Sequence, residues 1–304
     1  MSGNASASTG IVHQGATAWR FTAEDTSPRR VRTTATDIEA TGGSVLTRDG
    51  LRRVLDDGFT VVRGLFGRDE IDRLCGEFAA LHAAGRVPGH FEPRPGGDPL
   101  AAYPRVMHPH EINEVARGVL LDARLRGVLE VLLGEEVLAA QSMFYFKPPG
   151  ARGQALHQDN FYLRVEPGTC VAAWVACDVT DRDNGGLEVV PGTHLMDLFC
   201  PEEADAAASF AREYVAPPPG PATVPVDMAP GDVLFFNGSL VHGSQPNRTA
   251  DRFRRSFIGH YVGRSAERIG HYYRTLSMNG ERVTLAESEG AGPCGTEFAP
   301  HGLH

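Results

Sequence analysis

Apolar positions recur along this chain in two rhythms, and the change between them falls near residue 134. From Thr47, "TRDGLRRVLDDGF" sets Leu51, Val54 and Leu55 on one face of a 3.6-residue period, which predicts an amphipathic helix. "FTVVRGLF" follows as a short strand. "DEIDRLCGEFAALHAA" resumes the helical stripe through Ile71, Leu74, Cys75, Phe78 and Leu81. Residues 86–110 lose the period and gather proline and glycine, the pattern of a long loop. "DARLRGVLEVLLGEE" is a further helix, apolar at Leu125, Val128, Leu129, Leu132 and Leu133, with Gly134 as its stop.

Beyond Gly134 the apolar runs shorten and fill with Val, Phe, Tyr and Trp. They read "VLAAQSMFYFK", "TCVAAWVACDV", "LEVVPG", "TVPVDM", "DVLFFN" and "RRSFIGHYVG", each bounded by Gly, Pro, Asn or Asp. Strands in succession without intervening helices predict an antiparallel sandwich or barrel. An insert over 195–222 interrupts them, with a helix-like "PEEADAAASFAREY" and a turn-forcing "APPPGP". The expected organisation is a Ser-, Thr-, Ala- and Gly-rich tail over 1–45, then one domain over 46–304. Within it, 46–135 is helical support, 136–265 a β core carrying the insert, and 266–304 a C-terminal extension.

Composition narrows the classes of function. Hydrophobic residues make up 41% and charged residues 22% of the 304, ordinary for a globular protein. A formal charge of −9 offers nucleic acid no basic footprint. No apolar run approaches the roughly 20 residues of a membrane span, and "MSGNASASTG" lacks the pattern of a secretion signal. The five cysteines are odd in number and form no C-x-x-C pair, which argues against a disulfide framework or zinc ribbon and for a cytoplasmic location. The expected partner is a small-molecule substrate, with no nucleic acid and no membrane; a homodimer stays open. Lys147 is the only lysine, against 28 arginines.

Candidate chemistry begins at "LHQDN". On a strand, residues i and i+2 share a face, so His157 and Asp159 can address one metal. In isolation H-x-D is more often a hydrogen-bonded surface pair. The best third partner is His242 in "NGSLVHGSQPNR", 85 residues further on. Two histidines and one carboxylate form the facial triad of non-haem Fe(II) oxygenases, which leaves coordination positions open. The same donors suit Mn(II), Co(II) and Ni(II). Downstream, Arg254 and Arg255 open a strand that continues through Phe257, Gly259 and Tyr261, so one of the pair points inward. An inward guanidinium is the group a 2-oxo acid's distal carboxylate requires, and the Ser244 hydroxyl can assist.

Together "QSMFYFKPPG", "LHQDNFYL", "PGTCVAAWVACDVTDRDNGGLEVVPGTH", "GDVLFFNGSLVHGS" and "FRRSFIGHY" resemble the phytanoyl-CoA dioxygenase family, densely over about 137–262 and more loosely over the helices before it. The resemblance implies a double-stranded β-helix, a cupin-like jelly roll that is mostly β, with the N-terminal helices packed on its outer sheet. It implies an oxygenase that uses Fe(II), 2-oxoglutarate and O2 and releases succinate and CO2. It assigns His157, Asp159 and His242 to the iron and Arg254 to the 2-oxoglutarate distal carboxylate. One extra residue precedes Arg254, so Arg252 and Arg255 are the alternatives. Ser244 matches a hydroxyl on the same carboxylate, and Gln141 and Trp174 match walls of that site. Related halogenases carry Gly or Ala at the aspartate position; Asp159 therefore implies hydroxylation or a related oxidation of a small metabolite, not chlorination.

Other residues keep two readings. Lys147 meets a substrate anion or faces water. Phe161 and Tyr162 wall the substrate or, by preference, belong to the core. His194 reads as structural. Arg105, His108 and His110 lie in the long loop, which with the insert is expected to cover the substrate. Two rival functions stand beside the oxygenase: a catalytically silent jelly-roll binding protein, and a metal cupin that needs no 2-oxoglutarate.

Overall fold

Helix α1 (Arg48–Asp57) starts where the Thr47 hydroxyl accepts the Gly50 N–H at 3.0 Å and stops at Gly58, φ 88°. It opens the described part of a computed structural model, residues 46–220 and 222–288; the expected tail over 1–45 lies outside the described residues. Helix α2 (Arg68–Ala84) buries Ile71, Leu74, Cys75 and Phe78. Short helix α3 (Pro99–Ala102) lies in the long loop. Helix α4 (Glu114–Leu120), capped by Asn113, went unread in the sequence because it has only two turns and carries Gly118 inside. Helix α5 (Ala123–Leu133) ends at Gly134 in the left-handed conformation. Helix α6 (Asn160–Leu163) is a single turn.

The strands are β1 (Phe59–Val62), β2 (Val106–Met107), β3 (Val137–Tyr145), β4 (Gln154–His157), β5 (Val171–Ala176), β6 (Leu187–Val189), β7 (Glu202–Glu203), β8 (Glu213–Tyr214), β9 (Val224–Pro225), β10 (Val233–Asn237), β11 (His242–Ser244), β12 (Ser256–Gly263), β13 (Arg268–Ile269), β14 (Leu276–Ser277) and β15 (Ala286–Glu287). The major antiparallel sheet runs β1-β10-β5-β12-β3-β14, with β2 also on β3. The minor sheet runs β4-β11-β6-β9. Apolar side chains of both, among them Met143, Trp174, Leu187, Val189, Phe236 and Ile258, fill the space between. This is the jelly roll expected, with the helices on its outer face. There Phe257, Tyr261, Val175 and Phe235 join one apolar cluster with α1, α2, α4 and α5, and the Phe78 ring stacks on Phe144 at 3.8 Å.

Strand β12 turns Ile258 and His260 toward the space between the sheets, and Ala140 forms a bulge in β3 where the pairing steps from His260–Gln141 to Tyr261–Ala139. Three expectations need correction. Leu55 is 45% exposed rather than buried; α1 packs on β1, an edge strand, so only the Gly50, Leu51 and Val54 side of its stripe meets a partner. The helix read at 201–214 is instead the two-stranded ribbon of β7 and β8. Asp205 caps a tight turn there by accepting the Ala207 N–H at 2.9 Å, and the Val215 N–H donates to Leu156 O at 2.7 Å, so tertiary pairing overrides the alanine-rich helical propensity. Cys75, Cys170 and Cys177 are buried free thiols, whereas Cys200 is disulfide-bonded, which the argument against a disulfide framework did not anticipate. Among the described residues no helix is long and apolar enough to cross a membrane.

Candidate active site

Strands β4 and β11 pair so that His242 stands directly opposite His157. A direct antiparallel pair presents both side chains on one face, a few ångströms apart, and the ring centroids are 4.3 Å apart. The strands approach closely at Gly243, where a Cβ would lie 2.8 Å from Gln154 O. Asp159 arrives differently from the reading above. Strand β4 ends at His157, and Asp159 has helical dihedrals (φ −61°, ψ −36°) as the residue that begins α6. Its carboxylate reaches the imidazoles because the chain turns, not because it stays extended. Gln158 points away and pins that turn: its Nε2 donates to Ser239 O at 2.7 Å and its Oε1 accepts the Phe199 N–H at 2.8 Å.

Asp159 Oδ1 lies 3.4 Å from His157 Nε2 and 3.5 Å from His242 Nε2. All three side chains are buried, and their donor atoms form a group able to hold a metal ion. The rings are oriented for it. His157 Nδ1 donates to Ala155 O at 2.8 Å and His242 Nδ1 to Leu240 O at 2.9 Å. A carbonyl can only accept, so each proton sits on Nδ1 and each Nε2 turns a lone pair to the shared centre. Burial pushes His242 down to about 4 against the opposing Asp159 carboxylate. Burial works against the charge of Asp159, but the surrounding histidines, His242, His260 and His157, outweigh it and hold the carboxyl well below the usual range. Two imidazole Nε2 atoms and a carboxylate oxygen are the donor chemistry of a divalent first-row metal such as Fe(II).

Arg254 is buried and on the inner face of the sheet. Its Nε donates to Gly185 O at 3.2 Å, an NH2 group donates to Ser256 Oγ at 2.9 Å, and the guanidinium lies 5.2 Å from the Trp174 ring centroid. Burial lowers it to about 10, so it stays cationic at neutral pH. Arg252 and Arg255 leave the cavity for the surface, where they pair with Asp181 and Asp178, each at 2.6 Å. Ser244, Trp174 and Arg254 line one cavity with the His157, Asp159 and His242 cluster. Gln141 does not line it; it lies deeper on β3, opposite His260.

Sequence reasoning passed over His260. Its Nε2 donates to Asp159 Oδ2 at 3.0 Å, which orients the carboxylate and leaves Oδ1 toward the imidazoles. The signal was available: His260 lies on an even position of β12, in phase with Ile258, Ser256 and, just before the strand, Arg254. Phe161 packs with Leu138, Ala140 and Val262 in the core, as preferred. His194 is buried, its Nε2 donating to Leu55 O at 3.2 Å, in keeping with the structural reading. Lys147 is buried rather than facing water, and its Nζ donates to Ser244 Oγ at 2.9 Å.

A second cavity of about 150 Å³ adjoins the first through Tyr145 and is walled by Leu100, Tyr103, Arg105, Lys147 and Phe210 among others. Arg105 donates to Tyr145 Oη at 3.1 Å and lies 5.3 Å from the Phe210 ring centroid, so the long loop and the insert meet over this space. Arg152 ties them further, to Asp98 Oδ2 at 3.0 Å and Ala206 O at 3.0 Å. His108 is not brought to either cavity; its N–H donates to Ser142 O at 2.9 Å and its ring lies beside His110.

The profile of the phytanoyl-CoA dioxygenase (PhyH) family matches residues 54–256. The peroxisomal phytanoyl-CoA dioxygenase of Mus musculus is 29% identical over 234 residues, 72% of this chain and 69% of its own. Among solved structures, the epimerase SnoN in complex with Fe3+, alpha ketoglutarate and nogalamycin RO is 24% identical with a TM-score of 0.57, over 72% of this chain and 84% of that one. EctD from S. alaskensis with 2-oxoglutarate and 5-hydroxyectoine is 21% identical with a TM-score of 0.61, over 85% and 89%. The last two are likenesses of fold.

Proposed function

For a chain that belongs to the phytanoyl-CoA dioxygenase family, and is accordingly a non-haem iron, 2-oxoglutarate-dependent oxygenase, we propose that His157, Asp159 and His242 hold the metal, that Arg254 and Ser244 anchor the co-substrate, and that the substrate is a small metabolite hydroxylated or otherwise oxidised at an unactivated C–H bond. One observation carries the assignment: three buried side chains from two distant segments bring one ligand atom each within 4.8 Å of one another, with both Nδ1 protons committed to carbonyls so that each Nε2 carries the lone pair. When bound, the metal with 2-oxoglutarate supplies the oxidising power for O2-dependent C–H oxidation, releasing succinate and CO2.

The chain's own residues supply orientation and exclusion. Asp159 contributes the negative charge and His260 keeps its second oxygen engaged. Arg254 would meet the distal carboxylate of 2-oxoglutarate with charge-assisted hydrogen bonds, the Trp174 ring lying beside its guanidinium. The apolar walls Met143, Leu187, Phe236 and Ile258 keep water from the reacting centre. The adjoining cavity is where we place the substrate, under the long loop and the insert. Its aromatic and aliphatic lining with one guanidinium, Arg105, favours a compact, mostly apolar molecule bearing an anionic or hydrogen-bond-accepting group.

Anaerobic addition of Fe(II) and 2-oxoglutarate to the apoprotein is expected to give a metal-to-ligand charge-transfer band, absent from His242→Ala, and O2 is expected to convert 2-oxoglutarate to succinate. Absence of the band in the intact chain, or oxidation of substrate that needs no 2-oxoglutarate, overturns the proposal in favour of the silent protein or the metal cupin.

A further inference from the structure

The chain's only lysine points at a hydroxyl. Lys147 is 3% exposed, and its Nζ donates to Ser244 Oγ at 2.9 Å. The Gln154 N–H donates to the same oxygen at 3.2 Å. A serine oxygen has two acceptor sites and one proton. With both acceptor sites engaged, the hydroxyl proton is left to donate in the remaining direction. Ser244 lines the cavity of His157, Asp159, His242 and Arg254; Lys147 does not, and lines the adjoining one instead. The lysine therefore stands behind the serine as seen from the metal ligands.

We propose that Lys147 is a positioning residue for the co-substrate: it fixes Ser244 as a hydrogen-bond donor to the distal carboxylate of 2-oxoglutarate and sets its amino group beside Arg254. The inference rests on the reading of this cavity as the 2-oxoglutarate site.

Three features hold the lysine in place. Its backbone is left-handed, φ 37°, a conformation non-glycine residues seldom adopt and one that gathers at functional sites. Its carbonyl accepts the Arg254 N–H at 3.1 Å and Asn247 Nδ2 at 3.1 Å, which couples it to the strand that carries Arg254. Gly185, φ 79°, closes over its end: a Cβ there would lie 2.6 Å from Lys147 Cε and 2.9 Å from Nζ. The same glycine's carbonyl accepts Arg254 Nε, so one turn seats both cations. Burial first, then Arg254, pushes the Lys147 ammonium well down, with Glu188 opposing. An anion beside the pair opposes that push and favours the charged ammonium. A dicarboxylate entering against Arg254 and Ser244 provides that charge.

A single lysine makes the test direct. Labelling with side-chain [15N]lysine gives one nitrogen signal in the full chain, read with Zn(II) in place of iron to prevent turnover. Saturating 2-oxoglutarate is expected to shift this signal, and Ser244→Ala to abolish most of the shift. By calorimetry, Lys147→Met is expected to weaken 2-oxoglutarate binding about 10- to 100-fold, in the range of a lost hydrogen bond to a charged group. Ser244→Ala is expected to cost a similar factor, and the double variant little more than either alone, because the lysine acts through the serine. A lysine signal indifferent to saturating 2-oxoglutarate overturns the inference without recourse to any variant that fails to fold. So do additive losses, or wild-type affinity in Lys147→Met. Failure of the unaltered Zn(II) protein to bind 2-oxoglutarate at all overturns the underlying reading of the cavity, a distinct result.

Discussion

Arg252, Arg254 and Arg255 sit within four residues of one another, yet their surroundings separate them. Arg252 and Arg255 each pair with an aspartate near the surface, with 41% and 33% of their side chains exposed. Arg254 is 3% exposed and binds only neutral oxygens, Gly185 O and Ser256 Oγ, among its hydrogen-bond acceptors in the described structure. A buried guanidinium without a fixed carboxylate partner is the one suited to receive an incoming one. Arg254→Met is therefore expected to raise the KM for 2-oxoglutarate by at least about 30-fold, the scale of removing one side of a buried charge pair. Arg252→Ala and Arg255→Ala are expected to change it less than about threefold, because exposed pairs contribute little. Succinate-release kinetics against 2-oxoglutarate concentration separate the three; a large effect at Arg252 or Arg255 with none at Arg254 reverses the assignment. The sequence narrowed the anchor to this trio. Choosing among them needed the path of the segment that leads into β12.

At the scale of elements, helices α1, α2 and α5 announced themselves by period, because each buries one stripe against the same sheet. Their ends were legible too where a cap is built from local residues, as at Thr47 and Gly134. Failures came where pairing partners are remote. Residues 201–214 favour a helix by composition but are held as a ribbon by Leu156 and Gly153, and Asp159 serves the site from a turn whose shape is set by Ser239 and Phe199. Helix α2 illustrates a local device with a measurable consequence. Glu70 accepts the Gly67 N–H at 2.8 Å and Arg124 at 2.7 Å. The Arg124 hydrogen bond first, then that of Gly67, holds its carboxyl down at about 2 from the ordinary 4.5. A folded-state value below the unfolded one means stabilisation present above pH ~4.5 and lost as pH falls toward 2. Glu70→Gln is expected to destabilise the fold at pH 7 by about 1 kcal/mol or less, given the half-exposed pair. In urea titrations that difference shrinks steadily below pH ~4.5; a difference constant down to pH 3 sinks the account.

For the whole molecule, the two sheets act as a frame that brings β4, β11 and β12 to one point, and the outer helices hold the frame by covering the major sheet. Metal binding should then stabilise the folded chain, since the unfolded chain has no preformed triad. At a metal concentration about 100 times Kd, Mn(II) or Fe(II) is expected to add about 2.7 kcal/mol, a rise in Tm of about 5–10 °C for a domain of this size. The rise should vanish in His242→Ala; its persistence there would place the metal elsewhere. The sequence by itself determined the periodic elements, their succession from helices to strands, and the residue types able to bind a metal and a dicarboxylate. Those properties are local: a stripe, a cap and a donor atom are each written in a few neighbouring residues. Only the tertiary structure decided that His242 faces His157 across 85 residues, that Arg254 rather than its neighbours turns inward, that His260 braces Asp159, and that the sole lysine stands behind Ser244. Such facts depend on strand register, and a slip of one residue turns every side chain to the opposite face.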